Sequence, residues 1–375
     1  MNVTVKEVSS AKELKQFVHL PNELYKDNAC YVPQIESMDK DTLDPAKNHA
    51  FEVCEAKYWL AYDENGHPVG RIAGIINHAY NEKVGEPICR FGWLDFVEDK
   101  DVLGALLSAV EDYAKSRGLS IMNGPVGFLE FDAAGILVDG FTEIPTPYGK
   151  YNAPYYDPML KEFGYEKDTD WVEYVVDLKN FDYERHHRAA RLIAERYELK
   201  QAPITKHKHV AQYVDGIFDV MNRCYSKLHG YSELTPGQLD DLRNQFLPQV
   251  DPDLISVILD KNDRVVGFTF WMPSLSKAMM KAGGSLFPFG WFHILKAMRH
   301  NDTVNSLLIA VDPDYQNKGL ISMFFDKLTK GVRKIGIRYV ETTRELEDNH
   351  SVLNLSAGLE RHFSKRARCY IKTIQ

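Results

Sequence analysis

A chain of 375 residues exceeds a single typical hydrophobic core, and its length therefore predicts two domains. Its formal net charge of −8 argues against general nucleic-acid binding, because neutralising phosphates requires clustered positive charge. The five cysteines stand apart, without any C-x-x-C pair, which excludes the usual zinc site and disulfide framework and indicates a reducing, cytoplasmic environment.

The first third of the chain alternates predicted strands and helices. Its N-terminal residues lack the apolar core of a signal peptide, and no stretch is long and apolar enough to span a bilayer, so we expect a soluble protein. The apolar runs 58–62 and 69–76 are joined by turn residues, which predicts a hairpin. The next predicted elements are a strand at 89–97, a helix from Val102 to Tyr113 and a short strand at 119–122.

The hairpin recurs 197 positions later, where Asp63, Asn65, Val69 and Gly70 have counterparts at Asp260, Asn262, Val266 and Gly267. The same order of strand, helix, strand, helix and strand follows each hairpin, which predicts two tandem copies of one α/β domain, 1–180 and 181–375. The last helix and strand are predicted at 155–163 and 165–178 in the first copy, and at 349–359 and 364–374 in the second.

An insertion at 273–300 separates the second hairpin from the strand that follows. It contains Lys277, Lys281, Lys296 and Arg299 but no Asp or Glu. Its apolar spacing predicts two short helices around an aromatic turn. One interpretation is a helical hairpin whose apolar faces pack on the domain junction. The alternative is a lid over an acyl or acceptor channel, with its aromatics against a hydrocarbon chain and its cations near anionic groups of a coenzyme or lipid.

Residues 307–321 carry the main chemical signal of the sequence. An apolar run ending at Val311 predicts a buried strand, and apolar residues at helical spacing resume at Ile321. The turn between them places several backbone N–H groups at a helix N-terminus beside Lys318, an arrangement that suits a phosphate or pyrophosphate. An ordinary strand–turn–helix, with Pro313 and Gly319 as turn residues, is the alternative.

This stretch resembles the V-x-P-x-x-[RQ]-x-x-G-x-[GA] signature of the GCN5-related N-acetyltransferases, with Ile321 at the last, normally small, position. The resemblance implies a mixed-sheet α/β fold and acyl transfer from acetyl-CoA or another acyl-CoA to an amine, without a metal. It also implies that the loop holds the pyrophosphate while the preceding strand lies beside the pantetheine arm. The implied coenzyme-binding residues are Ile309, Ala310, Val311, Gln316, Asn317, Lys318, Gly319, Leu320, Ile321 and Asn349.

The first copy has a different turn at the place of this loop. Residues 97–101 hold Glu98, Asp99 and Asp101 and no glycine, so the turn would repel a pyrophosphate. We therefore predict that only the second copy binds the coenzyme.

Catalytic residues follow from the resemblance less directly. Glu341 and Glu347 are the predicted bases, acting through a water, since an ammonium acceptor must lose a proton before it attacks a thioester. Each could instead be a solvated or salt-bridged carboxylate. The family often uses a tyrosine on the last helix as general acid; 351–363 contains none, which leaves Tyr370 on the last strand. Asn349 could equally be a helix N-cap.

The sequence is compatible with two other functions. The tandem arrangement also resembles the Fem-type transferases, which use aminoacyl-tRNA as donor, although the acidic chain argues against them. A non-catalytic binding protein with the same fold is the third possibility. The acceptor, a small-molecule or peptide amine, the acyl chain length and the oligomeric state are not defined by the sequence.

Overall fold

The computed structural model describes residues 2–226, 228–249, 251–354, 356 and 358–374. The chain divides into two compact units. Unit 1 comprises Met1–Val172, Ser276–Ile294 and Ser364–Gln375, and unit 2 comprises Glu173–Leu275 and Leu295–Phe363. The predicted domains 1–180 and 181–375 differ from these units chiefly in the placement of 276–294 and 364–375.

The first half of the chain forms seven strands and five helices within its described residues. In chain order they are β1 (Thr4–Glu7), α1 (Ala11–Leu24), α2 (Glu36–Thr42), β2 (Cys54–Tyr62), β3 (Pro68–Asn77), α3 (His78–Val84), β4 (Ile88–Phe96), α4 (Lys100–Ser116), β5 (Ile121–Gly124), β6 (Ile136–Asp139), α5 (Tyr156–Glu162) and β7 (Glu166–Asp177).

The second half begins with a helix and ends with the longest strand. Its elements are α6 (Tyr183–Tyr197), β8 (Lys200–Gln201), α7 (Val214–Tyr225), α8 (Pro236–Phe246), β9 (Ile255–Leu259), β10 (Val265–Pro273), α9 (Ser276–Ala282), α10 (Gly290–Arg299), β11 (Thr303–Val311), α11 (Ile321–Ile335), β12 (Tyr339–Thr342), β13 (Glu345–Leu346), α12 (His350–Leu353) and β14 (Arg361–Thr373). Helices α9 and α10 confirm the two short helices predicted for 273–300. Among the described helices none is long and apolar enough to cross a membrane.

Each unit is built on a mixed sheet with the same strand order. In unit 1 the order is β1-β2-β3-β4-β5-β14, and only the β4–β5 pair is parallel. In unit 2 the order is β8-β9-β10-β11-β12-β7, and only the β11–β12 pair is parallel. This correspondence confirms the predicted repeat of one α/β domain.

The repeated hairpin residues have the same structural role in both units. The Asp63 carboxylate accepts from the N–H groups two and four residues later, at 2.9 and 2.8 Å, and Asp260 does the same at 2.9 and 3.0 Å. Gly70 and Gly267 allow a helix to pack closely on the sheet, because an added Cβ would lie 2.8 Å from a Leu106 methyl group and 3.2 Å from the Phe324 ring.

The final strands are exchanged relative to the prediction. The end of β14, Tyr370 to Thr373, pairs with β5 in unit 1, whereas the end of β7 pairs with β12 in unit 2. The sequence had assigned 165–178 to the first copy and 364–374 to the second. The prediction was wrong because the partner of each strand depends on long-range pairing rather than on order along the chain.

Candidate active site

Strand β11 separates from its parallel neighbour halfway along its length. It pairs with β12 from Thr303 to Ser306 and no farther. A bulge at Leu307 interrupts its pairing with β10, since Ser306 opposes Trp271 and Leu308 opposes Phe270. Residues 307–311 continue beside β10 alone, so their other edge lies open among the described strands. The predicted Ile309, Ala310 and Val311 form this last part of β11, and the Tyr225 hydroxyl donates to the Ile309 carbonyl at 3.2 Å.

A buried carboxylate fixes the loop that follows β11. Asp312 is fully buried and accepts hydrogen bonds from the guanidinium groups of Arg223 at 2.5 Å and Arg264 at 3.0 Å. The same side chain accepts from the Asp314 N–H at 3.0 Å, which starts the short turn Pro313–Tyr315. Gln316 donates to the Val311 carbonyl at 3.2 Å, so its side chain braces the loop. The loop is therefore held from several sides before the helix begins.

The start of α11 presents unpaired backbone donors. Asn317 and Gly319 have φ angles of 59° and 79°, and Leu320 precedes the helix without a side-chain cap. No hydrogen bond from the amides of residues 317–321 is found within the described part of the chain. The Lys318 ammonium lies 4.5 Å from the Tyr315 ring centroid and 5.2 Å from that of Tyr197. Free amides at a helix N-terminus beside a held cation fit the pyrophosphate of a coenzyme.

Helix α4, which corresponds to α11 in unit 1, does not have an uncapped N-terminus. Helix α4 is capped by Asp99, whose carboxylate accepts from the Asp101 N–H at 2.8 Å. A second carboxylate, on Asp101, lies in the first turn. The positive end of this helix is thus already satisfied by the protein's own negative charge.

A cavity of about 60 Å³ lies beside the loop of unit 2. Most of its described lining is apolar and comes from β10, β11, β12 and α11. Ile321, the first residue of α11, belongs to this wall, so the cavity and the helix N-terminus share a residue. Ile321 stands where the family signature has a small residue, and its side chain is part of the cavity wall.

Glu345 is the acidic residue in the described lining of this cavity. Its Oε2 atom is buried and has no hydrogen-bond partner in the described structure. The pKa of Glu345 is raised to about 7, chiefly by burial, with Arg361 opposing the rise and Glu173 adding to it. A carboxylate of this kind can take up and release a proton near neutral pH. Sequence reasoning missed Glu345, although it lies between the two glutamates that were chosen.

Neither predicted base belongs to the described cavity lining. Val340 and Thr342 line it, so strand alternation turns Glu341 to the other face of the sheet. There the Glu341 carboxylate accepts from the Asn305 amide at 2.6 Å. Glu347 lies in the turn after β13.

Two other residues of the predicted site, Tyr370 and Asn349, make hydrogen bonds that stabilise the fold. Tyr370 lies in the core of unit 1, where its hydroxyl donates to Asp157 at 2.6 Å, and burial raises the pKa of this tyrosine well above its usual value. Asn349 is the N-cap of α12 and accepts from the Val352 N–H at 3.4 Å. No group of three or more His, Cys, Asp or Glu side chains that could hold a metal occurs among the described residues.

Comparisons with known proteins place this geometry in context. No family model matches the chain. Protein YghO of Escherichia coli is 24% identical over 96% of this chain and 93% of its own length. The bacterial ceramide synthase of Caulobacter vibrioides is also 24% identical, over 100% of this chain and 98% of its own length.

Solved structures resemble the chain over almost its whole length. A tandem GNAT protein from the clavulanic acid biosynthesis pathway superposes with a TM-score of 0.58 at 13% identity, covering 99% of this chain and 98% of that one. A GCN5-related N-acetyltransferase from Sphaerobacter thermophilus gives a TM-score of 0.54 at 9% identity, with 100% and 96% covered. The chain therefore has the fold of the tandem GCN5-related N-acetyltransferases.

Proposed function

We propose that this protein is an N-acyltransferase that moves an acyl group from acyl-CoA to an amine. One observation carries the proposal: the Glu345 carboxylate, whose Oε2 atom is buried and has no hydrogen-bond partner in the described structure, lies in a cavity whose wall continues into the uncapped N-terminus of α11. The loop amides and Lys318 would hold the coenzyme phosphates, and the open edge of β11 would lie beside its pantetheine arm. When bound, acyl-CoA would supply the thioester that makes the acyl group reactive.

The reaction needs a base and an acid, and we assign both roles to side chains of the protein. The acceptor arrives as an ammonium and must lose a proton before its nitrogen forms a bond to the thioester carbon. Glu345 takes that proton, directly or through water, since a cavity of about 60 Å³ holds a few water molecules. When the carbon–sulfur bond breaks, the leaving thiolate needs a proton. The Tyr225 hydroxyl, at the open edge of β11, is the donor we propose in place of Tyr370, and it regains a proton from the nitrogen, which gives up its second proton as the amide forms.

For the acceptor, we propose a long-chain amine that receives a long acyl chain. The supporting observation is the full-length similarity to a protein named bacterial ceramide synthase. The five cysteines are free thiols, which agrees with a reaction in the cytoplasm.

An acyl-transfer assay tests this function. Purified protein is incubated with acetyl-CoA or palmitoyl-CoA and with either a short alkylamine or a long-chain amino alcohol. Released CoA is measured with a thiol reagent, and the product is identified by mass spectrometry. We expect an amide product, formed fastest from the two long-chain substrates. If no pair releases CoA although the coenzyme binds, the non-catalytic interpretation is the correct one.

The asymmetry of the two helix N-termini predicts the coenzyme stoichiometry. Because Asp99 and Asp101 occupy the first turn of α4, whereas the start of α11 is uncapped, we expect one CoA per chain. Isothermal titration calorimetry with CoA gives this ratio directly. Two equivalent sites would show that the carboxylates of unit 1 do not exclude the coenzyme.

A further inference from the structure

The turn between α9 and α10 exposes an unusual set of apolar side chains. Nine large hydrophobic residues are exposed in the described structure, and five of them fall within residues 287–295. They are Phe287 at 79%, Phe289 at 72%, Phe292 at 54%, Leu295 at 48% and Trp291 at 46% exposure. On an ordinary protein surface, exposed apolar residues are scattered singly. A cluster of them therefore marks an interaction surface.

The segment that carries these residues is well anchored at its base. Ser276 donates to the Pro145 carbonyl at 2.8 Å, and the Glu36 N–H donates to the Gly284 carbonyl at 3.0 Å. The buried side chains of Ala278 and Met279 hold α9 in place. The Trp291 indole N–H is satisfied by the Pro288 carbonyl at 3.0 Å, so the ring is ordered without being covered. The aromatic side chains are therefore presented by a fixed scaffold.

Basic residues flank the aromatic turn in the sequence. Lys277, Lys281, Lys296 and Arg299 are all exposed, and 273–300 contains no Asp or Glu in a chain of net charge −8. None of these four cations takes part in an ion pair with a described carboxylate. On α10 the exposed residues Trp291, Phe292, Leu295, Lys296 and Arg299 follow helical spacing and form one stripe, apolar at its start and cationic at its end.

We propose that this segment, the aromatic turn with α9 and α10, docks the protein on the surface of an anionic lipid bilayer. Aromatic and aliphatic side chains enter the boundary between headgroups and acyl chains, where tryptophan is favoured, while the cations contact lipid phosphates. A second copy of the chain is a poorer occupant, because its own segment would bring four more cations against these four. Such docking would bring lipid-borne substrates to the protein, but it does not depend on the proposed acyl transfer.

Vesicle co-sedimentation tests the docking. Full-length protein is mixed with vesicles of phosphatidylcholine alone or of phosphatidylcholine with 30% phosphatidylglycerol, in the absence of CoA and amine. We expect binding to the anionic vesicles, weakened at least about tenfold without phosphatidylglycerol or in 0.5 M salt, since each basic residue contributes about 1 kcal/mol near an anionic surface. Phe287→Ser with Phe289→Ser should also weaken binding at least about tenfold.

A matched control uses an exposed leucine elsewhere. Leu192 on α6 is 67% exposed, and Leu192→Ser should leave vesicle binding unchanged. The melting temperature of each variant checks that it folds. Trp291 gives a second measurement, because its fluorescence should be quenched by brominated lipid and the quenching should be lost in Trp291→Phe.

Three results would overturn the proposal. The first is a lack of binding to either kind of vesicle, and the second is equal binding by wild type and the folded Phe287→Ser, Phe289→Ser variant. The third is a dimer in lipid-free solution that the same double substitution dissociates, which would identify the segment as a contact between copies.

Discussion

Replacing Glu345 by glutamine is expected to lower kcat/KM for acyl transfer at pH 8 by at least about 100-fold, because a positioned general base contributes that much or more. In the wild type, kcat/KM should rise with pH until Glu345 has lost its proton, near its pKa of about 7, and then level off. The variant should show no such rise. Coenzyme affinity, measured by calorimetry, should be unchanged, since the loop amides are not altered.

The same substitution should stabilise the fold. The pKa of Glu345 is raised from 4.5 to about 7 by burial, so the folded state disfavours the charged form. Proton binding by Glu345 therefore stabilises the folded state. This contribution to the free energy of unfolding is fully present below pH 4.5 and is lost as the pH rises through 7. At pH 8 the lost stability amounts to at most about 3 kcal/mol, and Glu345→Gln recovers part of it. Urea unfolding at pH 5 and pH 8 measures this: wild type should be less stable at pH 8, and the variant should change much less.

Glu347→Gln is the matched control, because it removes a carboxylate two residues away, in the turn after β13 and outside the described cavity lining. We expect less than about a threefold change in kcat/KM, a value typical of a residue with no part in the transition state. The site assignment would be wrong if Glu347→Gln removed activity while Glu345→Gln retained it.

Sequence reasoning identified the parts of the site that depend on local signals. The loop after β11 was predictable because an apolar strand, a turn with Gly319 and an amphipathic helix are neighbours in the chain. The repeat was predictable for a similar reason, since Asp63 and Asp260 form the same hydrogen bonds within their own hairpins.

What the sequence did not reveal depends on long-range pairing and on side-chain direction. Glu341, Glu345 and Glu347 lie within seven residues, and only the alternation of β12 and the position of β13 decide which of them enters the cavity. Tyr370 was proposed from the order of elements, but β14 pairs with β5 and carries it into the core of unit 1. Tyr225 contacts the open edge of β11 from a helix more than eighty residues earlier. No local pattern marks that contact.

The coenzyme loop can be tested with Gly319→Glu, which should weaken CoA binding at least about 100-fold. The new carboxylate would lie at the uncapped N-terminus of α11, where it would satisfy the free amides and repel the pyrophosphate. Backbone strain adds to this effect, because Gly319 has a φ of 79° and an added Cβ would lie 3.0 Å from an Ile193 methyl group. Calorimetry measures affinity, and thermal unfolding measures the cost of the strain.

Two further variants separate charge, strain and position in this experiment. Gly319→Ala adds the strain without the charge, so we expect it to destabilise the fold by about 1 kcal/mol and to weaken CoA binding much less than glutamate does. Gly336→Glu places the same residue at the other end of α11, where φ is 88° and no atom lies within 4 Å of the added Cβ. It should keep wild-type affinity. Equal losses in Gly319→Glu and Gly336→Glu would show that the effect comes from a weakened helix, whereas wild-type affinity in Gly319→Glu would place the coenzyme elsewhere.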